Sequence, residues 1–210
     1  MIRKVCIQGF KTGADVTLEL GRLTVIAGPN GSGKTNLLEA IGLLGCAASG
    51  RVDYAALGAR GVRLGTPVLY KSALRAQKRV LRTITLEAES DGARYRVGLG
   101  NPVQRATVSW MYANEALVEG DRELGARSSR KGHFIQPEKP GLKEQRQPIA
   151  PDQGAGLAPL IQSIHGGGAL GGLLRLLAGY AIYAPSTPFL RAVCPDPAAR
   201  PRFAPFRPPG

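Results

Sequence analysis

Acidic residues are scarce in this chain. Fifteen Asp and Glu stand against 28 Lys and Arg over 210 residues, a formal net charge of +13. Cysteine is scarcer still, with only Cys6, Cys46 and Cys194. An odd number at wide spacing excludes a disulfide framework and a thiolate metal site, and fits reduced thiols in a cytoplasm. Of the two histidines, neither His133 nor His165 has a partner at metal-ligand or triad spacing. No apolar run is long enough to span a bilayer. The most apolar candidate, 169–184, is interrupted by Arg175 and by glycines. The start, Met1-Ile-Arg-Lys, enters a strand-like pattern rather than a secretory leader. These absences leave a cytoplasmic chain with no membrane partner, large enough for one sizeable domain or two small ones.

What is present is concentrated in residues 28 to 35, Gly-Pro-Asn-Gly-Ser-Gly-Lys-Thr, a phosphate-binding loop of the form G-x-x-x-x-G-K-[ST]. Leu23-Thr-Val-Ile-Ala27 before it is apolar and β-branched, which predicts a buried strand. Asn36 to Leu44 after it places Leu37, Leu38, Ile41 and Leu44 at helical spacing, which predicts a helix from Gly33 to about Ala47. Strand, glycine-rich turn and helix aim free backbone N–H groups at a phosphate chain. Gly28, Gly31 and Gly33 let the backbone approach where a Cβ would clash. Pro29, Asn30 and Ser32 complete the loop. The spacing sets Lys34 to reach the β- and γ-phosphates and the Thr35 hydroxyl to ligate Mg²⁺, with Asn36 opening the helix. No Asn-Lys-x-Asp motif for guanine occurs, which points to ATP.

Met1–Phe10 and Val16–Leu20 alternate as an antiparallel pair with Gly13 in the turn between them. Residues 48–67 read as irregular and glycine-rich, and Val68–Arg79 as a short basic helix. Arg82–Glu89 and Arg94–Leu99 flank an Asp91-Gly92 hairpin turn, with a third strand over Ala106–Tyr112. Glu119–Pro151 is charged and aperiodic, the pattern of a polar insertion. Pro159–Ala178 regains helical spacing and divides at Gly166-Gly-Gly168. Tyr180–Ala184 reads as a short strand, and from Pro195 onward proline and arginine exclude regular hydrogen bonding. The expected organisation is a nucleotide-binding lobe over 1–118, the polar insertion over 119–156, a helical segment over 157–194 and a Pro/Arg-rich tail over 195–210. Ala, Gly, Pro and Arg make up 91 of the 210 residues, so that tail can equally be read as out of frame or artificially ended.

The first fifty residues resemble the RecF/SMC-like branch of ABC-type P-loop ATPases, which includes OLD-type ATPase domains and many AAA family ATPases. The residues carrying this are Ile7-Gln-Gly-Phe-Lys11, Val16–Leu20, Leu23–Gly28 and Pro29-Asn-Gly-Ser-Gly-Lys-Thr-Asn-Leu-Leu-Glu-Ala-Ile41. Asn30 and the Asn36-Leu-Leu-Glu-Ala extension are more particular than the bare loop, while Thr12 and Gly13 depart from the usual Ser-Phe. The resemblance implies an α/β fold: the first lobe of an ABC/SMC-type head, with an antiparallel β-subdomain and C-terminal helices. It implies ATP and Mg²⁺ as cofactors, and a second head domain or a missing C-terminal half as partner. Its roles are DNA repair, chromosome maintenance or phage defence.

The family's Ser-Gly-Gly signature and its Walker B strand ending in Asp-Glu do not occur in this chain. The nearest run, Val108–Glu115, has Asn114 where the metal-binding Asp would stand, so no catalytic residue is assigned and hydrolysis is expected only in a complete head dimer. Leu170, Leu173, Leu174 and Leu177 would then be left exposed. Two other readings stay open. One is a non-hydrolysing nucleotide-binding interaction module. The other is a basic DNA-binding protein using Arg60, Arg63, Lys71, Arg75, Lys78, Arg79 and Arg82, a run without an acidic residue.

Overall fold

A computed structural model describes residues 1–72, 83–100, 110–128, 132–135, 145–147 and 154–183. Eight strands form one sheet: β1 (Ile2–Phe10), β2 (Gly13–Glu19), β3 (Thr83–Ser90), β4 (Ala93–Gly100), β5 (Met111–Glu119), β6 (Arg122–Ser128), β7 (Gly132–Ile135) and β8 (Gln145–Gln147). Their spatial order is β2-β1-β3-β4-β5-β6-β7-β8, and every pairing is antiparallel. The helices are α1 (Lys34–Ala48), α2 (Tyr54–Ala59), α3 (Pro67–Tyr70), α4 (Ala158–His165) and α5 (Ala169–Ala178).

Alternation makes the sheet two-sided. Val5 and Ile7 of β1, Ile84, Leu86 and Ala88 of β3, and Tyr95, Val97 and Leu99 of β4 are buried on one face. The opposite face carries Lys4–Glu89 and Glu87–Arg96 ion pairs between neighbouring strands. Helices α1 and α5 cover the buried face and pack on each other. From Glu39 to Ala48 every residue of α1 is buried. The α1–α5 crossing is close enough that a Cβ on Gly45 would meet the Leu177 carbonyl at 2.5 Å.

Several expectations are corrected. Leu23–Ala27 forms no strand: the segment lies outside the sheet, with Leu23 85% and Val25 80% exposed. A β-branched run becomes a strand only where another strand meets it, and none among the described residues does. Gly13 opens β2 instead of sitting in the turn, which falls at Lys11-Thr12. The stretch read as irregular before Pro67 contains α2, started by the Asp53 carboxylate accepting from the Ala56 N–H at 2.8 Å. Only Pro67–Tyr70 of the expected basic helix is helical, and 73–79 lie outside the described residues. The third strand of the second group runs Met111–Glu119, its expected beginning at 106–109 being outside the described residues.

The polar insertion read from Glu119 onward contains β6, β7 and β8. Gly120, at φ 57°, makes the β5–β6 turn, so a hairpin continues the sheet through polar sequence. Leu170, Leu173, Leu174 and Leu177 are buried rather than exposed, because α5 lies across β4 and α1. Tyr180–Ile182 is no strand, although the Ile182 N–H donates to the Arg60 carbonyl at 2.9 Å. The expected tail over 195–210 lies outside the described residues.

Strand β5 also holds the C-terminal helices. The buried Glu115 carboxylate accepts from the Leu157 N–H at 3.0 Å, just ahead of α4, and from the Tyr95 hydroxyl at 3.2 Å. Arg127 lies 3.3 Å away as its ion-pair partner. Four residues on, Glu119 accepts from the Leu170 N–H of α5 at 2.9 Å. Two carboxylates on one strand thus meet the N-terminal ends of two helices, where the helix dipole favours negative charge.

Candidate nucleotide-binding site

Loop 28–33 leads into α1 at the margin of the sheet. Gly31 and Gly33 sit at φ 83° and 93°, in the left-handed region that glycine reaches without strain. Gly33 also needs the room, since a Cβ there would lie 2.5 Å from the Thr12 hydroxyl oxygen. Gly33 is the N-cap of α1, no side chain caps that end, and its first turn contains no acid. The free N–H groups and the positive end of the dipole therefore face outward without an internal counter-charge.

Lys34 folds back over the loop, its ammonium donating to the Gly28 carbonyl at 2.7 Å and the Pro29 carbonyl at 2.8 Å. Pro29, Asn30, Ser32 and Thr35 are exposed, and the Ser32 N–H donates to the Pro29 carbonyl at 3.3 Å. Thr35 offers one hard oxygen. Mg²⁺ keeps several waters and takes its other ligands from substrate phosphates, so a single protein hydroxyl fits that ion in this setting. Among the described residues no cluster of three His, Cys, Asp or Glu could hold a metal by itself.

Behind the loop lies a polar network in which sequence reading had picked out only some members. Glu39, on the second turn of α1, is fully buried. It pairs with Lys11 from the β1–β2 turn and with Arg63 from the α2–α3 connection. Burial pushes its carboxyl upward, but the bonds from Arg63 and Lys11 outweigh that and hold it below the usual carboxylate value. The Arg63 guanidinium also donates to the Asn36 side-chain oxygen at 3.0 Å, and the Asn36 amide nitrogen donates to the Thr12 hydroxyl at 2.9 Å. The turn, the first two turns of α1 and the α2–α3 connection are therefore tied together immediately behind the glycines. Lys11 takes φ 46°, unusual outside glycine, and its N–H donates to the Tyr70 carbonyl at 2.7 Å. Its ammonium lies 4.7 Å from the Tyr70 ring centre.

The basic run 60–82 divides here. Arg60 is engaged internally, donating to Ser49 at 2.6 Å, the Ala178 carbonyl at 3.0 Å and the Ala56 carbonyl at 3.3 Å. Arg63 belongs to the Glu39 network, and Arg75, Lys78, Arg79 and Arg82 lie outside the described residues. The Asn114–Glu115 pair does not form a metal site, because Glu115 is bound to Arg127, Tyr95 and the start of α4. The Cys46 thiol is buried, and burial pushes it up to about 11, so it is inert.

With this geometry in place, comparison with known proteins is informative. The family described as AAA domain matches residues 4–103. The chain is 37% identical over 133 residues to the DNA replication and repair protein RecF of Arthrobacter sp. (strain FB24), covering 57% of this chain and 31% of that protein. It is 57% identical over 42 residues to the chromosome partition protein Smc of Desulfitobacterium hafniense (strain Y51), which is 19% of this chain and 4% of that one. A 44-residue match at 46% identity links it to the OLD nuclease of Thermus scotoductus (strain ATCC 700910 / SA-01), over 21% of this chain and 8% of the nuclease. The chain thus spans about a third of the length of the RecF relatives it matches.

Proposed function

Because this chain belongs to the RecF/SMC-like branch of ABC-type P-loop ATPases, we propose that it is the ATP-binding first lobe of such a head, acting in the cytoplasm. Residues Gly28 to Asn36 take the triphosphate, and Thr35 ligates Mg²⁺. The observation that carries this reading is the uncapped, acid-free N-terminus of α1, set behind two left-handed glycines with Lys34 arched over the loop. When nucleotide enters, the ammonium exchanges two carbonyl partners for phosphate oxygens. That exchange is the physical basis for charge stabilisation at the β- and γ-phosphates.

Water positioning is the part of phosphoryl transfer for which this lobe offers no residue, so turnover belongs to a complete head dimer. The second partner is a polypeptide that pairs with residues 23–27, where Leu23 and Val25 lie open next to the loop. The roles carried by the names of the relatives, DNA replication and repair and chromosome partition, extend to this chain as the setting of that ATP-driven step.

The test is binding and turnover of Mg·ATP by the full chain, beside Lys34→Ala. Binding that falls at least about tenfold in the variant, equivalent to about 1.4 kcal/mol, with negligible phosphate release from either protein, is the expected result. Equal binding by both proteins would remove the loop from the site. Lys34-dependent turnover would place a catalytic carboxylate in this chain. DNA affinity that survives the substitution and falls steeply with salt would favour the basic DNA-binding reading instead.

A further inference from the structure

Beside Asn36, one residue past Thr35, a groove of about 330 Å³ opens between Lys11, Asn36 and Arg63 on one wall and Leu64, Leu69 and Tyr70 on the other. The two leucines are 57% and 67% exposed, large apolar side chains held open next to a charged loop. The floor at Gly65 carries no side chain, and the Arg63 guanidinium is mostly exposed above it. The combination suits a flat heterocycle: apolar cover on one side, a planar cation on the other, and no bulk between.

We infer that this groove takes the base of the nucleotide whose phosphates lie on residues 28–35, and that it takes it without reading the base edge. The inference rests on the phosphate-site reading above. Edge reading requires a side-chain amide or carboxylate free to pair bidentately. Asn36 is the one amide on the groove, and both of its ends are committed, the nitrogen to Thr12 and the oxygen to Arg63. Glu39, the nearest carboxylate in this network, is fully buried and already holds Lys11 and Arg63. The Tyr70 hydroxyl donates to the Arg63 carbonyl. What remains is covering and stacking. Surfaces of that kind discriminate poorly, because every base has a π-face and an apolar wall cannot strongly reject a near-isostere. ATP and GTP therefore bind alike, and the absence of a guanine motif in the sequence does not make the site adenine-specific.

The experiment is calorimetric titration of the full chain with three Mg²⁺-loaded ligands, ATP, GTP and inorganic tripolyphosphate, each on wild type, Leu69→Asp and Leu69→Ala. Leu69 is exposed, so neither substitution threatens the fold, and a thermal melt verifies this. The expected result is ATP and GTP within about threefold of each other and both about tenfold tighter than tripolyphosphate, the gain from covering the two leucines. Leu69→Asp removes most of that tenfold gain, Leu69→Ala part of it, and tripolyphosphate is indifferent to both. Nucleotide affinity unchanged in Leu69→Asp would overturn the groove as the base site. A preference for one nucleotide above about thirtyfold would overturn base tolerance. Failure of tripolyphosphate and both nucleotides to bind wild type would overturn the phosphate site and the groove together. That outcome is distinct from either failure confined to the base.

Discussion

Glu39 carries more of this site's architecture than any residue inside the glycine-rich loop. Its two partners differ in what they lose if it is removed. The Lys11 ammonium is largely buried, so without the carboxylate it becomes a desolvated charge; the Arg63 guanidinium is mostly exposed and water replaces its partner. Breaking a buried pair from the buried side costs about 3 kcal/mol, whereas loss of an exposed partner costs under about 1 kcal/mol. Glu39→Ala should therefore lower unfolding stability by about 3 kcal/mol in a urea titration, and Arg63→Ala by less than about 1 kcal/mol. The carboxyl lies below its usual value in the folded chain, so its contribution is present above the unfolded pKa near 4.5 and is lost as pH falls below it. A Glu39→Gln variant should show a flatter loss of stability below that pH. Equal destabilisation by Glu39→Ala and Arg63→Ala would show that the carboxylate's burial is not what makes it costly to remove.

At the scale of elements, β5 behaves in the opposite sense. Burial raises the Glu115 carboxyl to about 7 against the opposing pull of Arg127, the Leu157 N–H and Tyr95. The folded chain then binds the proton more tightly than the unfolded one between about pH 4.5 and 7, so this contribution weakens as pH rises through that window. Thermal melts from pH 5 to 8 should show a downward slope in wild type that is reduced in Glu115→Gln. An identical slope in both would place the titration elsewhere.

This strand also marks where the sequence stopped being legible. Alternation and the Asp91-Gly92 turn disclosed β3 and β4, because both have apolar inward faces and a strong turn signal. The end of β5 and all of β6 were obscured, because inward positions there are filled by Glu115, Glu119 and Arg127, whose partners come from distant segments. A pattern of charges reads as solvated when its counter-charges cannot be seen. The glycine loop was legible in full, since its motif is local. Its support by Lys11 and Arg63 was not, since no sequence spacing joins three separate elements. Residues 23–27 failed for the converse reason: their pattern is that of a buried strand, and burial depends on a neighbour.

For the molecule as a whole, that segment sets the sharpest test. The sheet and its helices close around a core that includes Ile7, Leu44, Leu86 and Leu174, all fully buried, with no contribution from Leu23 or Val25. An apolar β-branched run held open next to a strand edge is a template for pairing, and therefore for self-association. Its β2 neighbour already uses its inner side on β1, and the last bond in that direction is from the Leu20 N–H to the Arg3 carbonyl at 2.7 Å. Replacing both Leu23 and Val25 with Lys should therefore leave the unfolding free energy of the full chain within about 0.5 kcal/mol, as for exposed positions generally. The same change should raise the concentration at which light scattering detects aggregates. Were these side chains part of the core, the double change would cost several kcal/mol, by the about 2–5 kcal/mol typical of a single large apolar truncation. A loss of that size would mean that residues 23–27 fold back onto the sheet in solution, and that the lobe needs no partner to bury them.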